Sequence, residues 1–170
     1  VLASEFKEKL REWGITGKIY IESTKVEDSL LEEFSITDKE YNNTILFLAR
    51  IEKEKGIYVT LDAVRNLEKC NLLVAGTGSE LENAKSYAKE KGIENVEFLG
   101  YVSGSNKIEA FKKSSIYILP TWHGEGMPTS ILESMSFGLA VITRPVGGIK
   151  DFFEDEKMGY AIKSKEPKDY

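Results

Sequence analysis

Apolar runs of strand length alternate along this chain with amphipathic runs of helix length, and this alternation restricts the fold more than any other feature of the sequence. Seven apolar runs are predicted to be β-strands: 18–23, 44–50, 71–76, 96–100, 115–120, 139–143 and 159–163. Most of them are continuously apolar, as is typical of strands buried on both faces. Helical periodicity falls between them at 58–67, 79–91 and 107–113. The sequence therefore predicts an α/β fold, a Rossmann-like domain of three layers with helices on both faces of a mainly parallel sheet.

The size and charge of the chain narrow its possible partners. Its 170 residues, of which 41% are hydrophobic, can bury one sizeable core, so we predict a single domain, 1–170, with its core between residues 18 and 163. A net charge of -5 argues against a nucleic-acid-binding surface, because a phosphate backbone requires lysine and arginine clustered over a whole face. The lone cysteine, Cys70, predicts a small buried side chain and a cytosolic setting. No apolar run approaches the roughly 20 residues that span a bilayer.

Two cations follow the second predicted strand. Arg50 ends the apolar run and Lys55 lies just before the next predicted helix. A guanidinium fork, an ammonium group and the free N–H groups of a helix start can together hold a diphosphate. A solvated charge cluster is the alternative interpretation of the segment 52–55. We expect Arg50 to face an anion, because an arginine at the end of so apolar a run is costly to desolvate without one.

A glycine- and proline-containing loop follows the strand predicted at 115–120. Pro128 suits the first turn of a helix, because its missing N–H costs nothing there. Four residues around it are expected to offer backbone N–H groups without intrahelical partners, which form a cradle for oxygen-rich ligands: Gly126, Met127, Thr129 and Ser130.

Two glutamates accompany this loop. Glu125 is predicted to lie just outside the helix and Glu133 about one and a half turns inside it, so that they flank a groove without touching. Ionised carboxylates accept hydrogen bonds from adjacent hydroxyls, as in the recognition of a ribose or a hexose. Alternatively, Glu125 is a capping carboxylate and Glu133 a solvated helix residue. The combination with the glycines and Pro128 favours a ligand site.

At these residues the sequence resembles the retaining glycosyltransferases of family 4, which have the GT-B fold. The family motif E-x7-E is matched by Glu125 and Glu133, and its G-R-L-x-x-x-K-G element is matched at 49–56, with Ala49 in place of the first glycine. Further motifs are matched around Gly76, at 96–102 and at 140–148. Two more positions depart from the pattern: Ala140 replaces the usual proline, and Asp151 replaces a longer glutamate. The resemblance covers about residues 18–163.

The resemblance implies a role for each matched residue. Glu133 would bind the ribose hydroxyls, Glu125 the donor sugar, and the Gly126, Met127, Thr129 and Ser130 region the sugar and diphosphate. Val102 would meet the nucleobase through its main chain. Arg50 and Lys55 would neutralise the charge that accumulates on the leaving diphosphate. The donor would be a nucleoside diphosphate sugar, the anomeric configuration would be retained, and no metal or other cofactor would be needed.

The resemblance also implies that this chain is the C-terminal, donor-binding half of a GT-B enzyme. We expect the N-terminal acceptor domain to be absent from this chain, whose sequence begins with Val1 instead of methionine. We therefore expect the fragment to bind nucleotide sugar weakly and not to transfer it. The full-length protein is expected to be a bacterial hexosyltransferase that makes polysaccharide from a glycan or lipid-linked acceptor, in the cytoplasm at the inner face of the membrane.

Three further interpretations follow from the same residues. His123, in the loop of Glu125, is expected to line the donor site without a catalytic role. A GT-B epimerase or hydrolase that uses the same donor site is one alternative function. A non-catalytic, flavodoxin-like interaction module is the other, although that class needs an acidic phosphorylation site after its first strand and this sequence shows none there.

Overall fold

The computed structural model describes residues 1–32 and 34–170, and this part of the chain contains a six-stranded parallel sheet. Its strands are β1 (Thr44–Leu48), β2 (Asn71–Ala75), β3 (Val96–Gly100), β4 (Ile116–Leu119), β5 (Ala140–Thr143) and β6 (Gly159–Ala161). Every neighbouring pair is parallel, in the order β3-β2-β1-β4-β5-β6. This confirms the α/β, Rossmann-like prediction. The order is that of doubly wound dinucleotide-binding sheets and differs from the flavodoxin-like order 2-1-3-4-5.

Helices connect the strands and flank the sheet. The α-helices of the described residues are α1 (Ser4–Glu12), α2 (Ile57–Val64), α3 (Leu81–Glu90), α4 (Gly104–Lys113), α5 (Thr129–Ser136) and α6 (Ile149–Phe152). Single 3-10 turns occupy Asp28–Leu30, Ile36–Asp38, Lys53–Lys55 and Pro167–Asp169. The three helices predicted between strands are present. Pro128 precedes α5 as its N-cap instead of lying inside its first turn.

The core explains why the predicted strands lack alternation. Residues of β1, β2 and β4 are buried on both faces of the sheet, and Leu46, Phe47, Val74 and Tyr117 have no solvent exposure. On one face Phe111 of α4 stacks on Phe137, with ring centroids 5.0 Å apart. Stacked aromatic pairs of this kind add to the stabilisation from apolar burial.

Two predictions about individual segments were wrong. The strand predicted at 18–23 does not form: Tyr20 is 64% exposed and Ile21 47% exposed. The backbone of this segment forms hydrogen bonds with Val1, whose amino group donates to the carbonyl of Tyr20 and whose carbonyl accepts from Glu22. The segment therefore pairs with the start of the chain and not with a strand of the sheet. Cys70 is half-buried instead of buried, because the turn before β2 leaves it at the edge of the core.

The order of the strands fixes where polar loops can meet. The sheet grows in one direction from β1 through β2 to β3 and in the other from β4 to β6, so the direction reverses between β1 and β4. The loops that leave the carboxyl ends of these two strands separate to opposite faces and leave a crevice, which is where ligands bind in open α/β sheets. The β1 loop carries Arg50 and Lys55, and the β4 loop carries Glu125.

Candidate functional site

A buried ion pair joins the loops after β1 and β4. Lys55, on the 3-10 turn before α2, lies with its Nζ 2.6 Å from Oε1 of Glu125, and the two side chains are only 11% and 9% exposed. The hydroxyl of Thr121 donates to the same oxygen over 2.8 Å. The carboxylate is therefore not a simple helix cap, because its charge is met by a lysine from another loop. Removing one partner of such a pair leaves an uncompensated buried charge.

A second ion pair joins α4 to α5. Nζ of Lys107 donates to Oε1 of Glu133 over 2.7 Å, and the side chains are 24% and 12% exposed. The other oxygen, Oε2 of Glu133, is buried and has no hydrogen-bond partner among residues 1–32 and 34–170. Glu133 is thus not the solvated helix residue of the alternative interpretation. Each of the two predicted glutamates is bonded to a lysine of its own.

Sequence reasoning missed Lys107, although a signal was present. Lys107 precedes the buried residues Ala110 and Phe111 by three and four positions, so it lies on the inward face of an amphipathic helix. A charged residue at such a position needs an opposite charge nearby, because burying an unpaired charge is costly. The cations considered from the sequence were those in loops at strand ends, and Lys107 lies inside a helix.

Arg50 lies in the loop as predicted, but the reason given for its facing an anion was wrong. Its side chain is 63% exposed and its Nη1 donates to Oε1 of Glu52 over 2.9 Å, so the guanidinium is not desolvated. The strand β1 ends at Leu48, two residues before Arg50, which places the arginine beyond the buried part of the run. An exposed pair of this kind contributes little to stability, so its cation can exchange partners readily.

Arg50 and Glu133 open onto neighbouring hollows. Arg50 lines a cavity of about 300 Å³ with Gly76 and Thr77 of the loop after β2. Glu133 and Thr129 line a cavity of about 530 Å³. The two cavities share three lining residues, Tyr101, Val102 and Lys107. Val102, predicted to meet a base, therefore lies where the two hollows join.

The first turn of α5, which carries the predicted N–H cradle, is hydrogen-bonded to a tyrosine of β4. Tyr117 of β4 is fully buried, and its hydroxyl donates to the carbonyl of Leu48 over 3.1 Å and lies 2.7 Å from Oγ of Ser130. Burial, above all, raises the pKa of Tyr117 well above its ordinary value, so the phenol stays protonated. It links the end of β1 to the first turn of α5. Thr129, on the same turn, is exposed.

A pair of glycines supports the loop of Glu125. The N–H of Gly148 donates to the carbonyl of Glu125 over 2.9 Å. A Cβ on Gly147 would lie 2.0 Å from that carbonyl oxygen, and one on Gly148 would lie 1.8 Å from the carbonyl oxygen of Gly126, so no side chain fits at either position. Within the described residues the backbone N–H groups of Gly126 and Met127 donate no hydrogen bond, as the cradle requires.

None of the described helices is long and apolar enough to cross a membrane.

A family model described as "Glycosyl transferases group 1" matches residues 30–170. The chain is 31% identical over 155 residues to the uncharacterized glycosyltransferase MJ1069 of Methanocaldococcus jannaschii. The aligned region covers 88% of this chain and 39% of that protein. A second relative is a Campylobacter jejuni N-acetylgalactosaminyltransferase whose name specifies a PP-undecaprenol-linked glycan; it is 27% identical over 92% of this chain and 46% of its own length.

Solved structures match the fold. A point mutant of S. aureus TarM, in complex with fondaparinux, alpha-GlcNAc-glycerol and UDP, has a TM-score of 0.81 with 20% identity, over 99% of this chain and 34% of that chain. At this identity the likeness establishes the fold alone. The chain spans less than half the length of the two relatives described above.

Proposed function

The chain belongs to the glycosyl transferases group 1 family, and from that premise we propose that it is the nucleotide-sugar-binding part of a glycosyltransferase. In this proposal the complete enzyme is a family 4, GT-B transferase. It moves a hexose from a nucleoside diphosphate sugar to a glycan or lipid-linked acceptor, with retention of anomeric configuration and without a further cofactor. The acceptor is bound mostly by a second, N-terminal domain.

One observation carries the proposal: three cations and two carboxylates gather near the point where the sheet changes direction. Arg50, Lys107 and Glu133 line the joined hollows, and the buried pair of Lys55 and Glu125 bridges the loops after β1 and β4. A nucleotide sugar presents complementary groups, with hydroxyls of the ribose and the hexose on either side of a diphosphate. Carboxylates suit the hydroxyls, and the cations suit the diphosphate.

Each residue then has a chemical task. Arg50 and Lys55 bind the diphosphate, and their charge stabilises the leaving group as it develops in the transition state. An ammonium group has three donors, so Lys55 can keep its bond to Glu125 and still donate to a phosphate oxygen. Glu125 binds the hexose and Glu133 the ribose.

The remaining predicted residues complete the site. Val102 contacts the base through its main chain, at the junction of the hollows. Gly126, Met127, Thr129 and Ser130 supply hydrogen-bond donors at the start of α5, where the helix dipole favours an anion. The Campylobacter relative, whose name specifies a PP-undecaprenol-linked glycan, supports a lipid-linked acceptor. Action at the cytoplasmic face of the membrane, through peripheral association, agrees with that acceptor class.

Calorimetric titration and thermal unfolding with UDP, GDP, ADP, CDP and their hexose conjugates test the proposal. A ligand of the folded state at 100 times its Kd stabilises it by about 2.7 kcal/mol, so at least one compound is expected to raise the Tm. EDTA is expected to leave this shift unchanged. If none of these nucleotides binds, the proposal is wrong.

Turnover assays separate the fragment from the complete enzyme. The 170-residue chain is expected to bind donor without transferring sugar. Sustained transfer by the fragment would contradict the assignment of acceptor binding to a second domain. A glycosylated acceptor made by the full-length protein would distinguish transfer from epimerisation or hydrolysis.

A further inference from the structure

We propose that Lys107 is a positioning residue that fixes the carboxylate of Glu133 against a ribose hydroxyl, and that this pair makes the site select ribonucleotides over 2′-deoxyribonucleotides. The inference rests on the proposed function, since it takes the ligand to be a nucleoside diphosphate or its sugar conjugate. Lys107 lies outside the matched family motifs, and the selectivity for ribose over 2′-deoxyribose depends on it.

The pair of Lys107 and Glu133 joins two helices across the site. Lys107 lies in the first half of α4 and Glu133 in the middle of α5. Nζ of Lys107 lies 2.7 Å from Oε1 of Glu133, and both side chains are largely buried. One carboxylate oxygen, Oε1, is taken by the ammonium group. This contact therefore determines where the second oxygen of the carboxylate lies.

The second oxygen of this carboxylate lacks a partner among the described residues. Oε2 of Glu133 is buried, and within the described part of the chain nothing donates a hydrogen bond to it. Buried polar atoms in folded proteins almost always have a partner, and one that lacks a protein partner is satisfied by water or by a ligand. A carboxylate oxygen accepts and does not donate, so the missing group must be a donor such as a hydroxyl.

The two joined cavities set the direction from which a hydroxyl would reach this oxygen. Glu133 and Lys107 line the larger cavity, and Lys107 also lines the cavity of Arg50. A ligand with its diphosphate beside Arg50 and its base beside Val102 places the ribose between them, next to Lys107. The donor that reaches Oε2 is then a ribose hydroxyl, which we assign to the 2′ position.

Lys107 acts through Glu133 in this arrangement. The terminal torsion of a glutamate is broad and roughly two-fold, so a carboxylate without a partner samples several orientations. An ammonium group bonded to Oε1 holds it in one of them. Without this bond, the carboxylate loses the orientation on which discrimination between ribose and 2′-deoxyribose depends.

The experiment compares wild type with Lys107→Met, Lys107→Arg and Lys85→Met. Lys85 is the matched control, because it forms an ion pair with Glu82 at the same 2.7 Å but on the exposed surface of α3. Calorimetry measures the Kd of UDP, GDP, ADP and CDP, and then of the 2′-deoxy form of the tightest binder. The readout is the ratio of the deoxy Kd to the ribo Kd.

For wild type and K85M we expect a ratio of about 10, since a hydrogen bond to a charged group discriminates by roughly that factor or more. K107M is expected to lower the ratio to about 1–3, and K107R to restore most of it. If K107M does not fold, Lys107→Gln replaces it: its amide is one bond shorter and uncharged, so the ratio must again fall. An equal weakening of both ligands, with the ratio kept, would overturn this inference alone. A wild type that binds no nucleotide would overturn the proposed function and this inference together.

Discussion

The loop after β1 carries two cation–carboxylate pairs that have opposite physical characters. Arg50 pairs with Glu52 of the same loop, at the surface. Lys55 pairs with Glu125 of the neighbouring loop, and both side chains are buried. The exposed pair is screened by water and contributes little to folding, whereas the buried pair ties two loops together and is destabilising when either partner is lost alone.

This difference indicates how one loop can serve both structure and ligand binding. Lys55 is a fixed cation whose position is set by folding, and Arg50 is an exchangeable cation at the rim. Substitutions at the two sites should therefore separate effects on stability from effects on binding.

The largest effect is expected for Lys55→Met. The carboxylate of Glu125 would be left buried without a counter-ion, with only a hydrogen bond from the hydroxyl of Thr121. This loss should lower the free energy of unfolding by about 3–5 kcal/mol. Urea denaturation measures this directly. Lys53→Met on the same turn is the control, because Lys53 is exposed and lies 3.8 Å from Glu80. A loss below about 1 kcal/mol for K55M would mean that the buried pair does not hold the loops.

The double variant K55M/E125M sharpens the comparison. Replacing both members of a buried pair by apolar residues removes the stranded charge, so the double variant should recover most of the roughly 3–5 kcal/mol that K55M loses. Nucleotide binding should nevertheless be lost, because neither phosphate nor sugar has its partner. Urea denaturation and calorimetry on the same sample test both parts. Recovery of stability together with recovery of binding would contradict the assigned roles.

Arg50→Gln is expected to show the opposite pattern. Stability should change by less than about 1 kcal/mol, whereas the affinity for a nucleoside diphosphate should fall by about tenfold or more, because a charge-assisted contact to phosphate is lost. Arg65→Gln, at the C-terminal end of α2, is the control for loss of one exposed guanidinium. Equal affinities for R50Q and R65Q would remove Arg50 from the diphosphate site.

The smallest effect is expected for Tyr58, which lies in α2 just after the loop that follows β1 and donates a hydrogen bond to Glu80. Burial, and then the hydrogen bond to Glu80, raise the pKa of Tyr58 to about 12. Because the folded-state pKa lies above the unfolded value of about 10, the stabilisation is complete below pH 10 and is lost as the pH rises towards 12. Tyr58→Phe should therefore flatten the fall in stability between about pH 10 and 12. An unchanged slope in urea midpoints over this range would show that Tyr58 does not titrate in this way.

The sheet, and the edge of it that carries the candidate site, could be predicted because they depend on local patterns. Buried parallel strands give continuous apolar runs, as in β1, β2 and β4, and each of the six strands falls on a predicted run. The segment 18–23 shows the limit of this reasoning: a short apolar run has strand character only if another strand lies beside it, and pairing is a property of the whole fold.

The ion pairs could not be predicted for the same reason. Glu125 and Glu133 were identified by their spacing, but their partners lie 70 and 26 residues away along the chain. Lys107 was detectable only as a charge on an inward helix face. Arg50 was predicted to be desolvated, and it is exposed because β1 ends before it.

A crystal structure of the chain with the nucleoside diphosphate sugar that stabilises it most would be the most direct measurement. The expected result has diphosphate oxygens within hydrogen-bond distance of Arg50 and Lys55, and a ribose hydroxyl on Oε2 of Glu133. A ligand that binds at the opposite edge of the sheet, or whose ribose and diphosphate avoid these residues, would contradict the assigned site.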